Sequence, residues 1–266
     1  MAKRKKKQDK KLNIPLLIIL LIVFGVCYYY RDYTFPYIEK AYNMVEAITG
    51  ETYKSKAIFA TTNINVASLK DIPPYKDKEY ITLNNNEPDF DVSKDGKKEF
   101  EKYSDLDILG RCGIAYANIS PKVMPAEGET RGDISRVKPS GWIQKSYKGV
   151  LEGNQLYNRC HLIAYWLTGE NDNEKNLITC TSNMNKKVMT IFETEVREYI
   201  KKTKNHVLYR VTPYFEGKNL VASGVQMEAY SVEDNGTGIK FNIYIYNVQK
   251  GIDINYATGE SKLGGK

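Results

Sequence analysis

The chain is poor in the residues that most often carry acid–base and metal chemistry. Its 266 residues include only 2 histidines, His161 and His206, and 4 cysteines. No two cysteines form a C-x-x-C pair, which argues against a structural zinc site. His206, in "NHVLYRV", has no motif around it and reads as a solvated residue at a strand start, so a centre built from histidines alone fails too. No internal repeat appears, and no low-complexity segment beyond a basic tail. Net charge is scarce outside that tail. Of the formal +7, residues 1–13 supply seven Lys/Arg and one Asp, which leaves +1 for everything else. A basic domain, the usual footprint of non-specific attraction to phosphate, is therefore missing. Any case for nucleic acid has to rest on local residues.

What is present begins with an address. "MAKRKKKQDKK" is followed by "IPLLIILLIVFGVCYYY", 14–30, an uncharged run slightly short of the roughly 20 residues that span a bilayer. Tyr28, Tyr29, Tyr30 and Arg31 extend it as an interfacial belt. The positive-inside rule leaves the basic end in the cytoplasm and everything after Arg31 outside. No A-x-A-like cleavage site follows the run, which favours an uncleaved signal anchor over a signal peptide. The expected organisation is a cytoplasmic tail at 1–13, a transmembrane anchor at 14–30, a stalk at 31–70 and an extracellular domain at 71–266. Cys27 lies in the apolar run. Cys112, Cys160 and Cys180 form an odd external set, which allows one disulfide with a thiol left over, or none.

Within the external part, 42% hydrophobic content and 21 tyrosines point to a core rich in strands. "EYITL" and "GRCGIAYANI" read as strands, and "KKEFEKYSDLD" as a short helix. The polar stretch 125–142, "PAEGETRGDISRVKPSGW", is a long loop. "QLYNRCHLIAYWL" reads as extended and "LITCT" as a buried strand. Val188, Met189, Phe192, Val196, Tyr199 and Ile200 then recur at helical spacing. "NHVLYRVTPYF", "VQMEAYSV" and "GIKFNIYIYNVQ" complete the chain, the last alternating as a half-buried antiparallel strand should. The fold class expected is α+β, with a central antiparallel sheet backing a strand–loop–strand–helix unit.

That unit carries the chemistry. With an ordinary pKa near ~6.5, His161 is the natural general base at neutral pH. Cys160 is its sequence neighbour, and adjacent side chains on a strand point to opposite faces, so a Cys–His dyad is a poor fit. Phosphodiester hydrolysis fits better. It needs a base for water, cations on the non-bridging oxygens and a divalent ion that helps the leaving oxygen. Magnesium keeps most of its waters, so one side-chain oxygen, that of Asn185, suffices to hold it. Arg159 and Arg197 can supply charge. Glu193 and Arg197, four apart on one helix, can meet as an ion pair or share a site. Asn183 and Asn185 could also simply cap the helix, Asn176 could anchor the loop, and Arg111 and Arg136 read as surface charge.

"NRCH", "NLITCTSNMN" and "FETEVR", with "ITLNNNEPDF", "RGDISRVKPSGW" and "VQKGIDINYATGE" in the same order, resemble the DNA/RNA non-specific endonucleases with a ββα-metal active site. The membrane-anchored competence and DNA-entry branch of Gram-positive bacteria is the most similar. The resemblance runs from Pro73 to Glu260. It implies a ββα-metal finger with His161 as general base, Asn185 holding one Mg²⁺ (with Mn²⁺ as a substitute), and Glu193 supporting the hydrated ion. Arg197 contacts phosphate in this reading, Arg159 serves as a phosphate or positioning group, and Arg131 approaches from the preceding loop. The family signature D-R-G-H falls on Asn158, Arg159, Cys160 and His161, so Asn158 has lost a charge and Cys160 replaces a glycine. The implied partners are DNA or RNA through phosphates, the bacterial membrane through the N-terminal helix, and DNA-uptake machinery or an inhibitor protein. Two rival readings are a surface DNA receptor with a decayed site and a secreted cysteine hydrolase using Cys160.

Overall fold

The computed structural model describes residues 65–66 and 69–264. The expected basic tail, membrane anchor and nearly all of the stalk lie outside those residues. Among the described residues no helix is long and apolar enough to cross a membrane.

The elements follow one another as β1 (Asn65–Val66), β2 (Tyr80–Leu83), α1 (Val92–Asp95), β3 (Phe100–Tyr103), β4 (Ala115–Ile119), β5 (Tyr157–His161), α2 (Tyr165–Thr168) and β6 (Leu177–Thr181). A π-helical stretch, Met184–Met189, then runs into α3 (Thr190–Thr203), followed by β7 (Val207–Tyr214), β8 (Gly224–Ser231), β9 (Lys240–Tyr246), β10 (Ile252–Ile254) and β11 (Ser261–Leu263). Seven strands make the central sheet in the order β1-β2-β9-β8-β7-β4-β3. Every pairing in it is antiparallel except β1 with β2. The sheet thus takes in Asn65–Val66, upstream of the boundary expected at residue 71. The pairs β5–β6 and β10–β11 stand apart as two-stranded ribbons.

Alternation along the central strands gives the sheet two different faces. Val207, Tyr209 and Val211 of β7, with Val225, Met227 and Ala229 of β8, join one core cluster with Phe192, Val196 and Ile200 of α3. Burying each large apolar side chain of that helix contributes roughly 1.5–3 kcal/mol. The ββα unit is therefore fastened by its helix to one face of the sheet. A second fastening is polar. Asn247, fully buried after β9, accepts from the Thr181 N–H at 2.8 Å and donates to the carbonyls of Thr179 and Ala222. The opposite face carries Arg210 and Glu228, paired at 2.7 Å.

Four expectations are corrected here. Phe100–Tyr103 is an edge strand paired with β4, where the sequence suggested a helix over Lys97–Asp107. The extended run through Leu167 stops at His161, and Tyr165–Thr168 forms a helical turn closed by Gly169 at φ 72°. β9 is buried on both faces from Phe241 onward, because it lies inside the sheet between β2 and β8. His206 is not merely solvated. Its ring nitrogens face Glu233 at 2.5 Å and Glu99 at 3.2 Å.

Candidate active site

β5 and β6 pair in a register that sets Arg159 opposite Thr179 and His161 opposite Leu177. The turn between them is closed by Asn176, fully buried, whose amide accepts from the Ile163 N–H and donates to the Ile163 carbonyl. Asn176 anchors this loop, the role its place in the sequence suggested. The two strands are also joined covalently by a Cys160–Cys180 disulfide, with Cα atoms 5.9 Å apart. Cys112 remains a buried free thiol. Since Cys160 has no thiol to offer, the cysteine-hydrolase alternative falls.

His161 ends β5. Its Nε2 lies 2.6 Å from the carbonyl oxygen of Asn171. A carbonyl can only accept, so Nε2 carries the proton and donates, and the lone pair of the neutral ring resides on Nδ1. The backbone of the β5–β6 loop therefore sets the tautomer that a base needs. No hydrogen bond joins Asn158 to the ring, and the Asn158 Nδ2 is buried without a partner among the described residues. The charge missing at 158 is not the group that orients His161.

The loop 125–142 closes against this unit. Arg159 stacks on Trp142, 4.1 Å from the ring centroid, while its Nε and Nη2 donate to the carbonyls of Val137 and Ser135 at 2.5 and 2.7 Å. Of the two roles foreseen for it, positioning is the one these donors serve. Arg136 pairs with Asp172, next to the carbonyl that holds His161. Gly132 abuts Asn171 so closely that a Cβ there would come within 3.0 Å of the Asn171 amide. Arg131, its neighbour, is exposed, makes no hydrogen bond or ion pair with any described residue, and lies within electrostatic reach of His161. Neither the Asn171 carbonyl nor the Arg136–Asp172 pair could be read from the residue pattern. Trp142 stood in the quoted "PSGW" and could have been suspected from it.

Across the ribbon, Thr181 caps the helical run, its hydroxyl accepting from the Met184 N–H at 3.1 Å. The two candidate asparagines then separate. Asn183 donates to Glu79 at 2.8 Å and makes no side-chain cap. Asn185 sits in the π-helical stretch, where its carbonyl accepts from Thr190 Oγ1 at 2.9 Å and its amide is engaged by no described residue. Such π turns recur at functional sites. Glu193 and Arg197 do not pair. Arg197 binds the adjacent Glu198 at 2.8 Å and approaches the Trp166 ring, whereas Glu193 is 5% exposed and has no cation or hydrogen-bond donor among the described residues. The helix buries Glu193 and leaves Arg197 half-exposed beside Glu198, so the spacing of four did not make a pair.

A family model described as DNA/RNA non-specific endonuclease matches residues 91–233, more than half of the chain. The chain belongs to that family. It is similar to the nuclease NucA of Streptococcus agalactiae, at 27% identity over 69% of this chain and 86% of that one. The TM-score is 0.59 against the metal-free structure and 0.60 against the magnesium-bound one. Sda1 nuclease, in a structure with a bound zinc ion, matches at 28% identity over 63% of this chain and 82% of that one, with a TM-score of 0.53. The endonuclease is thus a phosphodiesterase, and its substrate is nucleic acid.

Two of the candidate site residues, His161 and Glu193, are shifted by burial. Desolvation holds the His161 ring below the ordinary histidine range. The Arg131 charge pushes the same way, and the hydrogen bond to Asn171 opposes both. The ring is therefore neutral at pH 7, the state that can accept a proton. Desolvation pushes Glu193 up to about 8. As a donor set, one unengaged amide oxygen and one buried carboxylate suit a hard, largely hydrated cation. Among the described residues no group of three or more His, Cys, Asp or Glu could hold a metal ion.

Proposed function

We propose that this nuclease is a Mg²⁺-dependent, sequence-non-specific endonuclease held at the cell surface by its N-terminal apolar run. The observation that carries the catalytic part is the His161 ring, whose Nε2 is committed to a backbone carbonyl while Nδ1 is left as a base. His161 Nδ1 takes a proton from water. The water oxygen attacks phosphorus in line, and the bond to the 3′ oxygen breaks, leaving a 5′ phosphate. A divalent cation, Mg²⁺ or Mn²⁺, would be held by Asn185 and would supply positive charge to the non-bridging and leaving oxygens. Glu193 would orient the waters of such an ion. Arg131 and Arg197 add charge for the phosphate, and Arg159 holds the loop that presents Arg131. Magnesium bound to the similar NucA supports the choice of ion.

The surface location is supported by the basic tail and apolar run, and by a disulfide of a kind found mainly outside the cytosol. DNA, and RNA with it, is bound through phosphates, so activity should fall as salt rises. Uptake machinery or an inhibitor protein are the partners such a placement allows.

The test is plasmid nicking by His161→Ala and Asn185→Ala at saturating Mg²⁺. Each should lose at least about 10²–10⁴-fold in rate with an unchanged circular dichroism spectrum. Cleavage at the parent rate by either variant would sink the assignment.

A further inference from the structure

Arg136 and Lys138 have no part in the mechanism above, yet both line a cleft beside it. The cleft holds about 350 Å³, at the small end of ligand sites. Part of its lining is apolar, from Leu106, Val137 and Pro139. The rest is polar, with Arg136 and Lys138 as donors and Asp172 and Glu174 as acceptors. Its walls are pinned from behind. Arg159 donates to the carbonyls of Ser135 and Val137, on either side of Arg136. Ser140, after Pro139, donates to the Leu220 carbonyl at 2.7 Å. Lys175, after Glu174, pairs at 2.7 Å with Asp105, which precedes Leu106. Asp172 holds the Arg136 guanidinium. Lys138 and Glu174 are exposed, and neither side chain pairs with a described residue. Asp172 directly follows Asn171, whose carbonyl accepts from His161 Nε2 at 2.6 Å. The cleft thus begins one residue from the group that holds His161.

Two cations against two carboxylates leave this lining without net charge, which suits a neutral group better than a phosphate. Apolar walls suit a flat one, and an arginine guanidinium is a surface on which unpaired bases stack. The substrate of a nuclease carries one such group on every nucleotide. Guanine matches the rim best. Its O6 and N7 accept from Lys or Arg, while its N1–H and N2 amino group donate, as the Glu174 carboxylate requires. We propose that the cleft is a base subsite, which takes an unpaired guanine of the strand beside the scissile phosphate, stacked against Arg136 and read by Lys138 and Glu174. The result is a mild preference laid over cleavage that is otherwise indifferent to sequence. The place of the subsite relative to the cut rests on the reading of His161 as the base.

The test is the sequence of the ends left when the full chain cuts random single-stranded DNA to low extent. Guanine should be enriched at least about fivefold at one fixed position beside the cut, the low end for one good base contact. Lys138→Ala and Glu174→Gln change exposed side chains and leave the fold intact. Each should flatten the guanine enrichment while cutting oligo-dT at the parent rate. A parent profile without guanine bias overturns the proposal, as does a bias that either variant keeps. A loss on oligo-dT equal to the loss at guanine sites overturns it too, because that makes the altered residue a general strand contact and not a reader of bases. If His161→Ala cuts like the parent, the catalytic reading fails instead, and the parent's end sequences still decide the subsite.

Discussion

The two faces of the central sheet each bury a glutamate, and they treat it in opposite ways. Glu228, 1% exposed on the polar face, accepts from Arg210 at 2.7 Å and from the Asp89 N–H at 3.0 Å. Arg210 is itself stacked against Phe90 and Tyr116 and donates to the Asp89 carbonyl, so both members of that charge pair are held. Glu193, on the helix covering the other face, has neither cation nor donor among the described residues and is pushed up to about 8. Burial alone does not separate them. One carboxylate is complete as it stands and ties the segment around Asp89 to the sheet. The other is held in a state that costs stability, which a fold tolerates where the group has work beyond packing.

The largest effect should come from breaking the satisfied side. Arg210→Ala strands Glu228 in the interior and should cost about 3–5 kcal/mol of unfolding free energy. Urea denaturation would measure it, and nicking assayed well below the lowered Tm should remain near the parent rate. Next is Glu193→Gln, expected to lose about 10²-fold in kcat yet gain stability. Its sign follows from linkage. A carboxyl raised from 4.5 to about 8 on folding keeps its proton in the native state while the unfolded chain sheds it, so the contribution is intact below about 4.5 and is lost as pH rises toward 8. Glutamine removes that loss. Thermal melts of the metal-free proteins should coincide near pH 4.5 and separate in favour of the variant by pH 8. Smallest is Arg131→Ala. Its charge helps keep His161 neutral, so removing it raises the ring's pKa and moves the acid limb of the kcat/KM profile to higher pH. An unmoved limb would show that Arg131 does not face the ring in the active enzyme.

Much of this contrast was hidden from the sequence, for reasons that differ by residue. The strands β2, β4, β6, β7, β8 and β9 were legible because alternation and β-branched composition coincide in them. The apolar stripe from Val188 to Ile200 was equally clear as a helix. β3 was misread because "KKEFEKYSDLD" is rich in helix-favouring Lys and Glu, and only pairing with β4 overrides that propensity. The hairpin β10–β11 is too short to stand out. At the site, His161 stood out by its chemistry, while Asn185 and above all Glu193 were marked by the resemblance to the endonuclease family. What those residues contact could not be read. The acceptor for His161 is a backbone carbonyl, which no side-chain pattern encodes. Arg197 chose Glu198 over Glu193 because the helix buries one and not the other, and Arg159 spends its donors on a loop whose path is set by tertiary packing.

The π-helical stretch decides which way Asn185 faces. At 3.6 residues per turn, each α-helical step turns about 100°, so residues eight apart sit about 80° out of line. A π turn, with about 4.4 residues, turns only about 82° per step. Four such steps from Asn185 to Met189, then four α steps to Glu193, come to within about 10° of two full rotations. On these pitches the widened turn acts as an angular shim that sets positions 185 and 193 at nearly one azimuth, where an ordinary α-helix would splay them apart.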